Sequence, residues 1–476
     1  MKRLFLFLVF VGFARGAAAQ SGGYRIEATI AGVRDSTCFL AHYFDKQHSI
    51  RDTAVADASG RLVFDGKTAL PAGLYVISVG RWRYFDVLLT DDQEFRLHTD
   101  TTNFIATMRV EGSRENSLFY AYNQHMQKRF DDLRKLQQLG ESPVRLRAIQ
   151  QEMNDYRRDF IKTNAGTFAA KLLRAATEPE LPAAPKRPDG RPDSTYLYHY
   201  YKAHYFDNID LADERMMRTP LLAPRLERYF ADLVVQTPDS LIRAADALLA
   251  NVPKDRRDLR KYLIYKITSP YEQAHVLGTE GFFVHMGEKY YVGEPGLYDS
   301  STVRRFRERV ATLKPTLVGK KVPNMALTDT LGRPVPLHNV KAEYTVVFIY
   351  DPECGHCREA APKVLDFYRK TKAQGVAVYA ANLKRDLPQW KKFIREFKTG
   401  EFINGIDLRG QVDFWNTFDA QSTPVIFVLD RDKKIIARRL PAAELEKYWE
   451  YLQSQKAPAK APAAPRAAAP KKVAGR

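Results

Sequence analysis

The chain has 476 residues, 45% of them hydrophobic and 12% aromatic, which is enough apolar material for two or three packed domains. It contains only three cysteines, Cys38, Cys354 and Cys357, which excludes a small scaffold stapled by disulfides. The formal charge of +18 does not identify a nucleic-acid binder: half of the excess sits on Lys2, Arg3, Arg15, Lys456, Lys460, Arg466, Lys471, Lys472 and Arg476, in two end segments without acids, and the rest is dispersed among carboxylates.

In chain order, residues 1–19 read as a secretory signal peptide. Lys2 and Arg3 precede an apolar run from Leu4 to Phe13, and small residues at Ala17, Ala18 and Ala19 supply the cut. No later stretch is long and apolar enough to span a bilayer, so the expected location of the mature chain is the periplasm or cell envelope, where disulfide chemistry is permitted. Residues 20–112 hold short runs rich in β-branched and aromatic residues, separated by turn signals such as Asp57-Ala58-Ser59-Gly60. They predict an antiparallel β sandwich, with Cys38 as a small buried hydrophobe inside one strand.

Residues 113–315 change to helical period, with Leu118, Tyr122, Met126, Phe130, Leu133 and Leu136 on one face, and predict an α-helical domain interrupted by the proline-rich loop Glu178 to Ser194. His199 and His204 diverge by roughly 140° on a helix, so they do not share a face for a metal; His285 and Glu288 do share one, but two groups are too few. Residues 316–455 alternate strand and helix and predict an α/β domain. Residues 456–476, rich in Ala, Pro and Lys, are expected to be disordered.

The α/β segment holds TVVFIY, a buried strand, then Asp351-Pro352-Glu353, then Cys354 at the start of a helix with Cys357 three residues on. A helix N-terminus carries partial positive charge and unpaired N–H groups, which favour thiolate at the first cysteine. His356 between them adds an imidazolium that stabilises the same anion. Thiolate is the attacking species in disulfide exchange, and Cys357 is placed to resolve a mixed disulfide. A haem attachment would need His directly after the second cysteine, where Arg358 stands. A zinc site would need about four ligands, which distant Cys38 does not complete. Neither a metal nor another cofactor is expected.

Three stretches in order, GKKVPNMALTDTLGRPVPL, FIYDPECGHC and QSTPVIFVLDRDKKII, resemble the entry hairpin, redox pair and cis-proline segment of the thioredoxin fold, in its TlpA-like branch from bacterial envelopes. The resemblance implies that Thr423-Pro424 lies as a cis peptide across from the cysteines, with Thr423 pairing with substrate, and that Pro362 kinks the active-site helix. An N-terminal β domain and a helical middle before such a unit resemble a recurring envelope architecture. Two positions depart from the family: Phe348 stands where thioredoxin has a buried aspartate, and Ala360 where some TlpA-like reductases have a glutamate. The resemblance implies a thiol-disulfide oxidoreductase that reduces disulfides of envelope proteins and is recharged by a membrane electron carrier. The Gly-His dipeptide is instead that of protein disulfide isomerase, whose potential of about −180 mV is more oxidising than thioredoxin's, about −270 mV. A disulfide oxidant or isomerase therefore stands as an alternative, as does a non-catalytic envelope binding protein on a thioredoxin scaffold.

Overall fold

A computed structural model describes residues 22–45, 47–80, 83–272 and 278–456. The expected signal peptide, and all but the first residue of the expected tail, lie outside the described residues. The chain divides into two compact units, Met1–Leu233 with Leu249–Leu263, and Val234–Leu248 with Ile264–Arg476. Helices of the middle region contribute to both.

Among the described residues the first unit carries eight strands: β1 (Tyr24–Ala31), β2 (Thr37–Phe44), β3 (Gln47–Val55), β4 (Arg61–Gly66), β5 (Gly73–Val79), β6 (Arg83–Leu89), β7 (Glu94–Asp100) and β8 (Arg109–Glu111). They form two four-stranded sheets, ordered β4-β1-β7-β8 and β3-β2-β5-β6. All pairings are antiparallel except β1 with β7, which run parallel from Arg25 opposite Glu94 to Ala31 opposite Asp100. Period-two alternation places Ile26, Ala28 and Ile30 inward on β1, each fully buried. Cys38 is likewise fully buried, on β2. The helix Arg114–Gln138 follows, its N-terminus capped by the Ser113 hydroxyl. Its Tyr122 and Met126 pack with Met153 and Phe160 of the helix Pro143–Thr163. His204 closes the helix Ser194–Ala203 and pairs with Asp207 at 2.6 Å.

The second unit contains the helices Glu280–Met286 and Ser300–Leu313, followed by a five-stranded sheet of β9 (Tyr344–Tyr350), β10 (Val376–Asn382), β11 (Ile403–Ile406), β12 (Val425–Leu429) and β13 (Ile435–Arg438), ordered β11-β10-β9-β12-β13. Strands β9, β10 and β11 are parallel; β12 and β13 are antiparallel to their neighbours. Central β9 is buried over all but its first residue, as a strand covered on both faces must be. Its alternating side chains serve two cores. Val346, Phe348 and Tyr350 face the helix Gly355–Thr371, with Cys357, Ala361 and Val364 in the same cluster. Val347 and Ile349 face Met325, Leu327 and Leu337 on the other side. The entry segment turns back on itself, Asp329 N–H donating to Arg333 O at 2.8 Å and Val335 N–H to Leu327 O at 2.8 Å. After the helix Gly355–Thr371, Gly375 at φ 84° turns the chain into β10; a Cβ there would meet the Glu343 side chain at 2.9 Å.

His285 and Glu288 go to different partners, Asp246 at 2.9 Å and Lys314 at 2.6 Å. No helix among the described residues is long and apolar enough to cross a membrane.

Candidate functional site

Strand β9 ends at Tyr350 because Asp351-Pro352-Glu353 turns the chain: Cys354 N–H donates to Asp351 O at 3.1 Å, and the Asp351 carboxylate accepts from Glu353 N–H at 2.9 Å. Cys354 is then the N-cap of the helix Gly355–Thr371, in extended conformation (φ −71°, ψ 121°), and its carbonyl accepts from the amides of Cys357 and Arg358, both at 3.1 Å. As an N-cap it leaves its sulfur facing the orphan amides of the first turn. Cys354 is partly exposed and Cys357, one turn on, is fully buried; both are free thiols.

Across from the pair lies the Thr423-Pro424 bond, which is cis. Cys354 Sγ donates to the Thr423 carbonyl at 3.4 Å. Both Thr423 and Pro424 are half-buried, immediately before β12. The five sequence-singled residues therefore occupy one locality, but His356 differs from the rest. It is exposed, and what it contributes to Cys354 is its backbone N–H.

The two thiols are driven apart chemically. Partial burial raises Cys354, but hydrogen bonding from the Thr423 side chain, from the amides of Cys357 and His356 and from the Cys357 thiol outweighs it, and the thiol ends below its ordinary value. Burial pushes Cys357 up to about 12. Alkylation with iodoacetamide of the reduced protein is therefore expected to label Cys354 with a pH midpoint below the free-cysteine value of about 8.5, while Cys357 stays unlabelled until far more alkaline pH. Peptide mapping that found Cys357 labelled first would contradict this order.

Phe348, fully buried, and Ala360, nearly so, share the cluster of Cys357, at the two positions where the sequence departs from the family's carboxylates. One feature of the site was not evident in the sequence. The loop before Thr423 is held by an ionic cluster around buried Asp419 and Arg438. Asp419, with φ 53° and 1% exposure, pairs with Arg309, with Arg438 at 3.1 Å and with Arg439 at 3.0 Å, and its carbonyl accepts from Arg439 at 2.6 Å. Arg439 also reaches the Ser422 hydroxyl at 3.4 Å.

Comparison with known proteins bears on both ends of the chain. Residues 317–451 match the family model described as Redoxin, and residues 24–119 match a domain of unknown function, DUF4369. The thiol-disulfide oxidoreductase ResA of Bacillus thuringiensis subsp. konkukian is 26% identical over 136 residues, 29% of this chain and 77% of its own. The chain is a thioredoxin-fold, TlpA/ResA-like protein with a β N-terminal region. It is a thioredoxin-like thiol-disulfide oxidoreductase. Among solved structures, a domain of a possible thiol-disulfide isomerase from Cytophaga hutchinsonii is 43% identical, covering 30% of this chain and 97% of that one at a TM-score of 0.29. A thioredoxin-like protein from Bacteroides caccae is 20% identical, covering 58% and 99%, at 0.46.

Proposed function

We propose that Cys354 and Cys357 are the redox centre of this oxidoreductase, with Cys354 the nucleophile and Cys357 the resolver, and that it reduces disulfides of envelope proteins with electrons from a membrane carrier. The observation that carries the assignment is the asymmetry of the pair: a reachable N-cap thiol held below its ordinary pKa beside a fully buried thiol held above it. In the forward reaction the Cys354 thiolate attacks a substrate disulfide and releases one substrate thiolate. Cys357 then displaces the second and closes the Cys354–Cys357 bond. The Thr423 backbone, already in contact with Cys354 Sγ, is the ledge for an extended substrate strand, and Pro424 beside it presents no N–H. Export by the signal peptide of residues 1–19 supports the envelope location.

A second reading, oxidant or isomerase, draws on the same lowered Cys354 pKa, since a stabilised thiolate favours the reduced form of the couple. Titration against glutathione separates the two. A potential near thioredoxin's, about −270 mV, supports the reductant; one at or above about −180 mV supports the oxidant or isomerase. His356 bears on this balance. Its backbone N–H helps hold the Cys354 thiol below its ordinary value and proline has no N–H, so His356→Pro is expected to make the couple more reducing, by roughly 30 mV for each 1.4 kcal/mol of lost thiolate stabilisation. An unchanged or higher potential would remove His356 from the account. The scaffold reading is tested by insulin reduction with dithiothreitol, since a scaffold would not accelerate it.

A further inference from the structure

The edge strand β13 brings Arg439 to the loop that carries Thr423. It pairs antiparallel with β12, Arg438 opposite Phe427, and Leu440 N–H then donates to Ile426 O at 3.2 Å. The chain therefore passes Arg439 beside the start of β12, the strand that directly follows Pro424. Arg439 has φ 50°, a left-handed conformation that glycine adopts freely and that costs a residue with a Cβ. A long side chain kept in such a conformation points to work for that side chain.

The guanidinium of Arg439 spans the loop 419–422 from end to end. Its Nε donates to the Asp419 carboxylate at 3.2 Å and its Nη2 to the Asp419 carbonyl at 2.6 Å, while Nη1 donates to the Ser422 hydroxyl at 3.4 Å. Ser422 precedes Thr423, whose carbonyl accepts from Cys354 Sγ at 3.4 Å. One planar fork thus holds both ends of the segment that leads into the reactive sulfur's contact. Its neighbour Arg438 is fully buried against the same carboxylate, whereas the Arg439 side chain is 37% exposed, so water screens its ion pair and the pair adds little to stability. What Arg439 adds is the placing of Ser422 relative to Asp419.

We infer that Arg439 is a positioning residue for substrate, its guanidinium tying Ser422 to Asp419 and so holding the Thr423 backbone where an extended peptide pairs beside Cys354. The inference rests on the reading of Thr423 as the substrate ledge. It gives Arg439 a part in selectivity rather than in bond exchange. The Cys354 sulfur can attack any disulfide that reaches it, whereas an extended peptide gains in addition from a ledge held in register.

The test compares two disulfides with the same leaving group, thionitrobenzoate joined to an extended peptide and thionitrobenzoate joined to 2-mercaptoethanol. Each reacts with the reduced full chain in single turnover over a range of concentrations, and released thionitrobenzoate is followed. In Arg439→Gln the preference for the peptide over the small disulfide should fall about tenfold, the scale of one hydrogen bond from a charged group. The fall should lie in the half-saturating peptide concentration more than in the limiting rate. Arg439→Lys keeps the charge beside Asp419 but has no fork to reach Ser422 as well, so it should lose the preference too. An unchanged preference in Arg439→Gln would overturn the inference, as would equal slowing with both disulfides, which is what a general loss of structure gives. Full recovery in Arg439→Lys would also overturn it, because charge alone would then suffice. A peptide N-methylated on both sides of its cysteine tests the ledge itself. If the wild type does not distinguish it from the unmodified peptide, the ledge reading has failed; if the wild type does and Arg439→Gln keeps the wild-type preference, only the part given to Arg439 has failed.

Discussion

Asp419→Ala is expected to destabilise the C-terminal unit by about 3–5 kcal/mol, the range for removing one partner of a buried ion pair. Three guanidinium groups, from Arg309, Arg438 and Arg439, converge on this one carboxylate, and Arg438 is fully buried. The remaining acid, Glu280, stands 3.7 Å from Arg438 Nε, beyond hydrogen-bond length. Without Asp419 the cluster holds three positive charges against one negative, in a place where burial already lowers the Arg438 pKa. The backbone adds to the cost, because Asp419 sits at φ 53°, which aspartate and asparagine tolerate better than alanine. For a unit of this size a loss of that order lowers the melting temperature by roughly 10 °C.

Asp419→Asn separates the two contributions, keeping the backbone preference and one acceptor while removing the charge. It should retain part of the lost stability and no more. A loss below about 1 kcal/mol in Asp419→Ala would mean that water reaches the cluster and screens it. The Asp419 carboxylate pairs with Arg438 and Arg439 beside the loop that delivers the Thr423 carbonyl to Cys354, so thiol-disulfide exchange in either variant should slow at temperatures where the fold is still intact.

This cluster could not be read from the residues alone. Charged and aromatic residues are frequent, and a sequence shows their period along the chain but not what meets them across it. Nothing in IIARRL sets Arg438 apart from Arg439, yet Arg438 is fully buried against Asp419 while Arg439 reaches the same carboxylate from the surface. Pairing partners are hidden in the same way. The composition of YRIEATI marks a strand, yet nothing in it distinguishes an antiparallel neighbour from the parallel β7 that lies beside it. What could be read was the part carried by scarce residue types at fixed spacing. Two of three cysteines lie within four residues, after a strand without a charge and a Pro-containing break, which leaves few chemistries open. The β, helical and α/β textures were also evident, because each has its own period.

The largest functional effects are expected at the cysteines, and the two substitutions should fail in different ways. Cys354→Ser replaces the one reachable low-pKa thiol with a hydroxyl that stays protonated, so insulin reduction should fall to the level of dithiothreitol alone and no mixed disulfide should form. Cys357→Ala leaves the nucleophile in place and removes the group that releases the substrate. Its attack on substrate disulfides should proceed, release should stop, and covalent complexes should persist on non-reducing gels until dithiothreitol is added. The third cysteine supplies the control. Cys38 is fully buried and burial raises its thiol pKa, so it should not take over attack in either variant. Mass spectrometry of the trapped species should place the substrate sulfur on Cys354. Attachment at Cys38, or turnover surviving in Cys354→Ser, would remove the pair from the centre of the reaction, whereas free release from Cys357→Ala would show that substrate is let go without the internal disulfide, as in a one-thiol exchange.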